Sequence, residues 1–106
     1  AGFATEIAVD AQGNAVGVWA RHVSGLRWEI VASSRPRGGK WTVPVAISGD
    51  TRTGEILRSK VAVDPNGNAV AVWAARPPEA WGNENVFKAL WSASRSPSGT
   101  WSAPEE

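Results

Sequence analysis

Apolar and polar residues alternate in two segments of the chain, and both segments carry the same pattern. Residues 7–19 read IAVDAQGNAVGVW, and residues 61–73 read VAVDPNGNAVAVW. In each segment, two short apolar runs flank a polar turn. An Asp at the start of such a turn can bond backbone amides two residues on, and Gly accepts the positive φ that the turn needs. The pattern predicts two β-hairpins, with Asp10, Gly13, Asp64 and Gly67 as structural turn residues.

The duplication continues beyond the hairpins. Residues 33–44 (SSRPRGGKWTVP) correspond to residues 93–104 (ASRSPSGTWSAP). The offset between the copies is 54 in the hairpins and 60 here, so the second copy carries six extra residues between Trp73 and Ser94. Duplication at this period is typical of repeat architectures, in which one unit does not bury its own apolar faces alone.

Each copy is predicted to contain four short strands and no helix, because no stretch holds a 3.6-residue period and Gly and Pro interrupt the chain throughout. In residues 69–73 both sides of the predicted strand are apolar. A sheet with one wet face would alternate apolar and polar residues, so these sheets are expected to be stacked between other sheets. The predicted strands are residues 6–10, 14–20, 28–34 and 41–47 in copy one, and 60–64, 68–74, 86–95 and 101–104 in copy two.

Composition excludes several classes of function. The net charge is +1, and the eleven Lys and Arg residues are scattered, whereas nucleic acids and membrane surfaces require a basic patch. The chain has no Cys, so disulfides and thiolate metal sites are excluded. His22 is the only histidine, so a histidine metal cluster is excluded, and no cofactor is expected. Met is absent even at position 1, which indicates a processed product or an excised segment.

Residues 34–41 (SRPRGGKW) and 94–101 (SRSPSGTW) resemble the Asp-box, the Ser-x-Asp-x-Gly-x-Thr-Trp signature of sialidase-like β-propellers. Pro36 and Ser96 stand where the signature has Asp, and Ser98 stands where it has Gly. The motif falls between the third and fourth predicted strands, where that family keeps it. The positions that match are Ser34, Gly38 and Trp41 in copy one, and Ser94, Thr100 and Trp101 in copy two.

The resemblance implies an all-β fold of two four-stranded propeller blades: residues 1–47, a linker at 48–59, and residues 60–106, forming one structural unit. A propeller has about four to eight blades, so oligomerisation is expected to complete the ring. A dimer, trimer or tetramer would supply enough blades. The trimer is favoured because six blades is a common size and small two-blade lectins that resemble this layout assemble that way. The alternatives are a fragment of a longer propeller and an eight-stranded two-sheet sandwich.

Four tryptophans are predicted to be structural. In the family that the chain resembles, the Asp-box Trp packs under its turn, which implies that Trp41 and Trp101 are core anchors. Trp19 and Trp73 close the second strand of each copy, and their repetition favours packing between blades.

The loops between the second and third strands and between blades vary most, at residues 21–27, 48–59 and 75–85. Binding residues concentrate on such loops. Trp81 has no counterpart in copy one, and its indole could stack on a sugar ring or, alternatively, pack on its own blade or the next subunit. The predicted ligand-binding residues are Trp81, Arg76, Glu79, Asn83, Glu84, Arg21, His22 and Trp28.

Sialidases that resemble this fold use a Tyr nucleophile, and the chain contains no Tyr, so an enzyme is not expected. The sequence favours a non-catalytic, lectin-like carbohydrate-binding module whose partners are glycans and copies of itself. A purely structural or engineered blade pair is the alternative, and a glycosidase-related domain ranks third. The residues themselves leave the compartment open, and the resemblance favours a secreted or extracellular location.

Overall fold

The computed structural model describes residues 5–24, 27–48, 55–76 and 89–105. These residues form two antiparallel sheets and, within the described ranges, no helix, which confirms the all-β prediction. Strands follow one another in an up-and-down order in both sheets. Sheet 1 contains β1 (Glu6–Val9), β2 (Ala15–Ser24), β3 (Arg27–Arg35) and β4 (Val45–Ala46), and sheet 2 contains β5 (Glu55–Val63), β6 (Ala69–Arg76) and β7 (Ala89–Arg95).

Several predicted boundaries are wrong. Residues 21–24 were predicted to open a loop but extend β2, because facing side chains on β3 support the ladder: Arg21 opposes Glu29 and His22 opposes Trp28. Likewise, residues 55–59 of the predicted linker belong to β5.

The predicted fourth strands are shorter than expected. In copy one only Val45–Ala46 pairs as a strand. In copy two, residues 101–105 run beside β7 through two isolated bridges, Arg95 to Trp101 and Ser92 to Glu105. Pro44 and Pro104 lie in these segments, and a proline has no N–H to donate to a ladder.

Both predicted hairpin turns are confirmed. In the first, the Asp10 N–H donates to the Asn14 carbonyl at 2.9 Å, and the Gly13 N–H donates to the Asp10 carbonyl at 3.1 Å. Gly13 has a φ of 90° and Gly67, at the same place in the second turn, a φ of 91°. Side chains with a Cβ are disfavoured in this region of φ, which accounts for the glycine in each turn.

Each sheet has two apolar faces, which we name by the residues of its second strand. The valine face carries Val16 and Val18 in sheet 1, and Val70 and Val72 in sheet 2. The tryptophan face carries Gly17 and Trp19 in sheet 1. In sheet 2 the tryptophan face carries Ala71 and Trp73.

The sheets stack with the valine face of sheet 1 against the tryptophan face of sheet 2. Val18 of sheet 1 and Trp73 of sheet 2 belong to one buried core cluster. Equivalent faces therefore point the same way along the stack, so each sheet repeats the orientation of the other. The full cluster is Val18, Ile30, Ala32, Ile47, Ala71, Trp73 and Ala93.

The two outermost faces of the stack are open. On the valine face of sheet 2, Val70 and Val72 are 46% and 40% exposed, and Leu90 is 68% exposed. The expectation that residues 69–73 are buried on both sides thus holds for only one side, because within the described ranges no further sheet covers the other.

The four structural tryptophans divide by face. Trp73 is 1% exposed, and Trp101 packs against the core cluster. Trp41 was predicted as a core anchor but is 47% exposed, because it lies on the open tryptophan face of sheet 1. Trp19 lies beside it on that face and is half-buried.

Candidate functional site

A cleft of about 350 Å³ lies between the sheets at the rim that carries the tight turns. Asp10, Asn14 and Pro36 come from the turns of sheet 1, and Gly67 and Pro97 come from the turns of sheet 2. The turns that contain Gly13 and Gly38 lie at one end of sheet 1, and those that contain Gly67 and Gly99 lie at the corresponding end of sheet 2, because the strands follow one another up and down. The remaining lining residues are Ala15, Val16, Ser34, Arg35, Thr42, Val63 and Arg95; we call this set the inter-sheet cleft.

The acidic group of the cleft is built into its turn. Asp10 Oδ1 accepts hydrogen bonds from the backbone N–H groups of Gln12 and Asn14, both at 2.9 Å. Its Oδ2 accepts a bond from Asn14 Nδ2 at 3.1 Å. These donors, the Asn14 backbone first, hold the pKa of Asp10 below its usual value, because hydrogen bonds to a carboxylate favour its charged form.

Asp64 repeats this arrangement in sheet 2. Its Oδ1 accepts bonds from the backbone N–H groups of Asn66 and Asn68, and its Oδ2 accepts a bond from Asn68 Nδ2, all at 2.9 Å. The side chain of Asn68, followed by its backbone, lowers the pKa of Asp64. Both aspartates are therefore held as carboxylates at neutral pH.

Asn14 also connects the two turns of sheet 1, since its Oδ1 accepts a bond from the Arg37 N–H at 2.9 Å. The corresponding position in sheet 2 is Pro97, which has no N–H to donate. Pro97 lies instead next to Gly67, where a Cβ added to the glycine would be 3.4 Å from Pro97 Cβ.

Arginine provides the basic groups of the cleft. Arg95 of β7 reaches across from sheet 2, where a terminal nitrogen of its guanidinium lies 3.4 Å from Ser34 Oγ of sheet 1. Arg35 holds the equivalent position on β3 and also lines the cleft. The cleft thus combines two guanidinium groups and a carboxylate with an apolar wall that includes Val16, Val63 and Pro97.

Sheet 2 carries an open groove whose lining residues repeat those that sheet 1 contributes to the inter-sheet cleft. This open groove lies on residues 68–70, 94–96 and 100–102. Seven of its lining residues correspond by repeat to residues of the inter-sheet cleft: 68–70 to 14–16, 94–96 to 34–36, and Ser102 to Thr42. The groove is open because no sheet formed by the described residues lies over the valine face of sheet 2.

An apolar hollow of about 450 Å³ lies on the tryptophan face of sheet 1. Its floor is Gly17, where an added Cβ would be 3.7 Å from both Trp41 Cζ3 and Ile7 Cγ1. Trp19 and Pro44 complete the apolar wall. The equivalent surface of sheet 2 is filled by sheet 1.

The structure gives the predicted residues Arg21, His22 and Trp28 local partners. Arg21 forms an ion pair with Glu29 at 2.6 Å, and the rings of His22 and Trp28 lie 5.0 Å apart at 58°. Trp28 also packs against the core cluster. These residues are close together on β2 and β3, away from the inter-sheet cleft.

Trp81, Glu79, Asn83 and Glu84 lie outside the described residues. Arg76 is the last residue of β6, and its side chain lies outside the described part of the structure. The hypothesis of a ligand site on the variable loops, at residues 21–27, 48–59 and 75–85, stays a prediction.

The cleft could not be found from the sequence because the turn residues were assigned a structural role only. The signal was present: Arg35 and Arg95 recur at the same place in both copies, next to the turns. Only the stacking of the sheets, which brings Arg95 to Ser34, shows that one copy completes the rim of the other.

Among the described residues, no cluster of three or more His, Cys, Asp or Glu side chains could hold a metal ion. The same part of the chain contains no helix long and apolar enough to cross a membrane. No protein-family model, curated protein or solved structure matches the chain.

Proposed function

We propose that each sheet is a blade of a propeller-like ring and that the ring is a non-catalytic, multivalent binding module for carbohydrates. The observation that carries the proposal is the inter-sheet cleft, which combines charged and hydroxyl groups with an apolar wall. Small-molecule sites are typically concave, mainly apolar and equipped with a few placed polar groups.

The stacking supports the blade assignment. Two sheets related by a two-fold axis, as in a symmetric sandwich, would bury equivalent faces against each other. Here a valine face meets a tryptophan face, so the second sheet repeats the orientation of the first, and further sheets can continue this repetition. A propeller is built by such repetition around a channel.

The cleft retains hydrogen-bonding capacity suited to a polyhydroxylated ligand. A carboxylate offers about four lone-pair positions and an amide nitrogen offers two donors. Asp10 uses three of its positions within the turn, and Asn14 Nδ2 uses one donor. One acceptor and one donor then remain side by side, next to the donors of Arg35 and Arg95, and this pairing complements adjacent sugar hydroxyls.

A structural blade pair without a ligand is the second candidate. The observation that favours it is that most polar groups at this rim already serve the turns, as Asp10, Asn14 and Asp64 do. In this case the repeated hydrogen bonds of the turns stabilise the hairpins and nothing more.

A glycan array probed with the labelled chain tests the proposal. Binding is expected, and we expect Arg95→Met, which keeps the apolar stem and removes the guanidinium, to reduce it at least tenfold. Trp81→Ala is the matched variant for the hypothesis that the site lies on the variable loop at residues 75–85. Loss of binding in Trp81→Ala alone would move the site to that loop, and silence of the whole array with folded protein would favour the structural candidate.

A further inference from the structure

We infer that the open valine face of sheet 2 docks onto the open tryptophan face of sheet 1 in a second copy of this chain. We infer further that this contact converts the open groove into a second cleft. The inference rests on the proposed function for the role of the clefts, and on the structure for the contact itself. The occupant is a second copy because the chain already contains the same contact between its own two sheets.

The residues that would enter the contact correspond one by one to residues already buried within the chain. Val18 and Ile30 of sheet 1 are fully buried against sheet 2. Their repeat equivalents on sheet 2 are Val72 and Leu90, which are 40% and 68% exposed. Exposed apolar residues grouped on one face mark an interaction surface.

The receiving surface is equally specific. In sheet 2, the tryptophan face carrying Trp73 and Trp101 is covered by Val18 and Ile30. In sheet 1, the equivalent face carries the hollow beside Trp19 and Trp41. The Val72 and Leu90 side chains of the partner would occupy this hollow as Val18 and Ile30 occupy its counterpart.

Charge supports the head-to-tail direction. Within the chain, Lys60 Nζ lies 3.5 Å from Glu6 Oε1 across the two sheets. Lys60 is also the repeat equivalent of Glu6, so head-to-tail docking places Lys60 against Glu6 of the partner and again pairs opposite charges. A contact between two copies of this same face would instead bring Lys60 of both chains into one interface without Glu6, which charge complementarity disfavours.

Docking would also finish the second cleft. Arg95 and Gly67 of sheet 2 close the inter-sheet cleft over sheet 1. The equivalent residues of a second copy, the partner's Arg35 and the partner's Gly13, would close the open groove over sheet 2. The hydrogen bond from Arg95 to Ser34 then predicts a contact between the partner's Arg35 and Ser94.

Light scattering on the native chain gives the first test. A head-to-tail contact forms a ring when its rotation closes, so the expected mass is a small multiple of 11.2 kDa. Val72→Glu is expected to give the single-chain mass with an unchanged far-ultraviolet circular dichroism spectrum. Gln12→Glu introduces the same charge on an exposed turn and is expected to leave the assembly intact. A folded native protein at the single-chain mass overturns the inference.

Cross-linking tests the head-to-tail direction of the contact. Because the chain contains no cysteine, only the introduced cysteines react. Arg35→Cys and Ser94→Cys are made as separate variants, and a short bismaleimide is added to each alone and to their mixture. The double variant Ser34→Cys/Arg95→Cys is the control, expected to link within one chain.

We expect a linked pair of chains in the mixture only. A link formed by Arg35→Cys alone shows that identical faces meet and overturns the head-to-tail contact, as does no link in the mixture when the control reacts. The docking contact and the proposed function are tested independently. An assembled ring that binds no glycan contradicts the proposed function but supports the contact. A single chain that binds glycans supports carbohydrate binding but contradicts the contact.

Discussion

Trp73 is the largest fully buried side chain of the core, and its replacement offers a sharp test of the stacked arrangement. It is 1% exposed, and its indole Nε1 has no hydrogen-bond partner among the described residues. A buried donor left unpaired costs about 1–3 kcal/mol. The side chain therefore combines a large apolar contribution with a polar penalty, and the two can be separated by substitution.

Trp73→Ala is expected to lower the free energy of unfolding by about 3–5 kcal/mol, as large aromatic truncations in cores do. Trp73→Phe removes the N–H together with roughly 40 Å² of apolar area, worth about 1 kcal/mol at 25 cal/mol per Å². Relief of the unpaired donor, about 1–3 kcal/mol, outweighs or cancels this loss, so the net change is expected to lie between about zero and 2 kcal/mol of stabilisation.

Denaturant unfolding followed by far-ultraviolet circular dichroism measures both changes, since seven tryptophans complicate fluorescence. Trp19→Ala, at the equivalent but half-buried position, is the control and is expected to cost clearly less when measured in the Val72→Glu background, where docking is blocked. If Trp73→Phe costs as much as Trp73→Ala, the indole N–H has a partner and the reasoning is refuted.

Three further predictions follow from individual turns and pairs. Gly17→Ala is expected to raise the free energy of unfolding by about 0.4–1 kcal/mol, because the chain entropy of the unfolded state falls and the added Cβ meets its neighbours at an ordinary contact distance of 3.7 Å. Gly13→Ala is expected to lower the free energy of unfolding by about 1–2 kcal/mol, because Gly13 has a φ of 90°. Thermal denaturation of both variants checks the opposite signs. The pKa of Asp64 is lower in the folded chain than in the unfolded chain, where it is about 3.9. Its carboxylate therefore stabilises the fold above pH 4, and this stabilisation is lost as the pH falls through the pKa of the folded state. The melting temperature of Asp64→Asn should lie below that of the native chain at pH 7, and the difference between the two should narrow below pH 4. Arg21→Ala is expected to cost at most about 1 kcal/mol, and less in high salt, because its ion pair with Glu29 is partly exposed; an unfolding measurement at two salt concentrations checks this.

The hairpins could be predicted from the sequence because their chemistry is local. Asp10 and Gly13 are three residues apart, and each acts on backbone groups within the same turn. The length of β2 could not be predicted in this way. Residues 21–24 are polar and read as a loop, and what keeps them in the sheet is the pairing of Arg21 with Glu29, eight residues later.

Which face of each sheet is buried within the chain could not be predicted from the sequence either. Val72 and Trp73 are both apolar, so the pattern indicates two faces to be covered without showing which one the chain covers itself. The stacking decides this: Trp73 is inside and Val72 is outside. The exposure of Trp41 follows from the same cause, since Trp101, its equivalent, lies on the covered side.

The two repeats are not interchangeable at the turn rim, and this has a consequence for binding. The cleft within the chain is closed by Arg95 and Pro97 of sheet 2. The cleft formed by docking would be closed instead by the partner's Arg35 and the partner's Arg37, since Arg37 holds the place of Pro97 in sheet 1. The assembly that we infer would therefore alternate a less basic cleft with a more basic one. Because an added guanidinium favours acidic groups, neutral and acidic sugars should distribute unequally between the two kinds of cleft, and a ring of identical chains would present two specificities from one sequence.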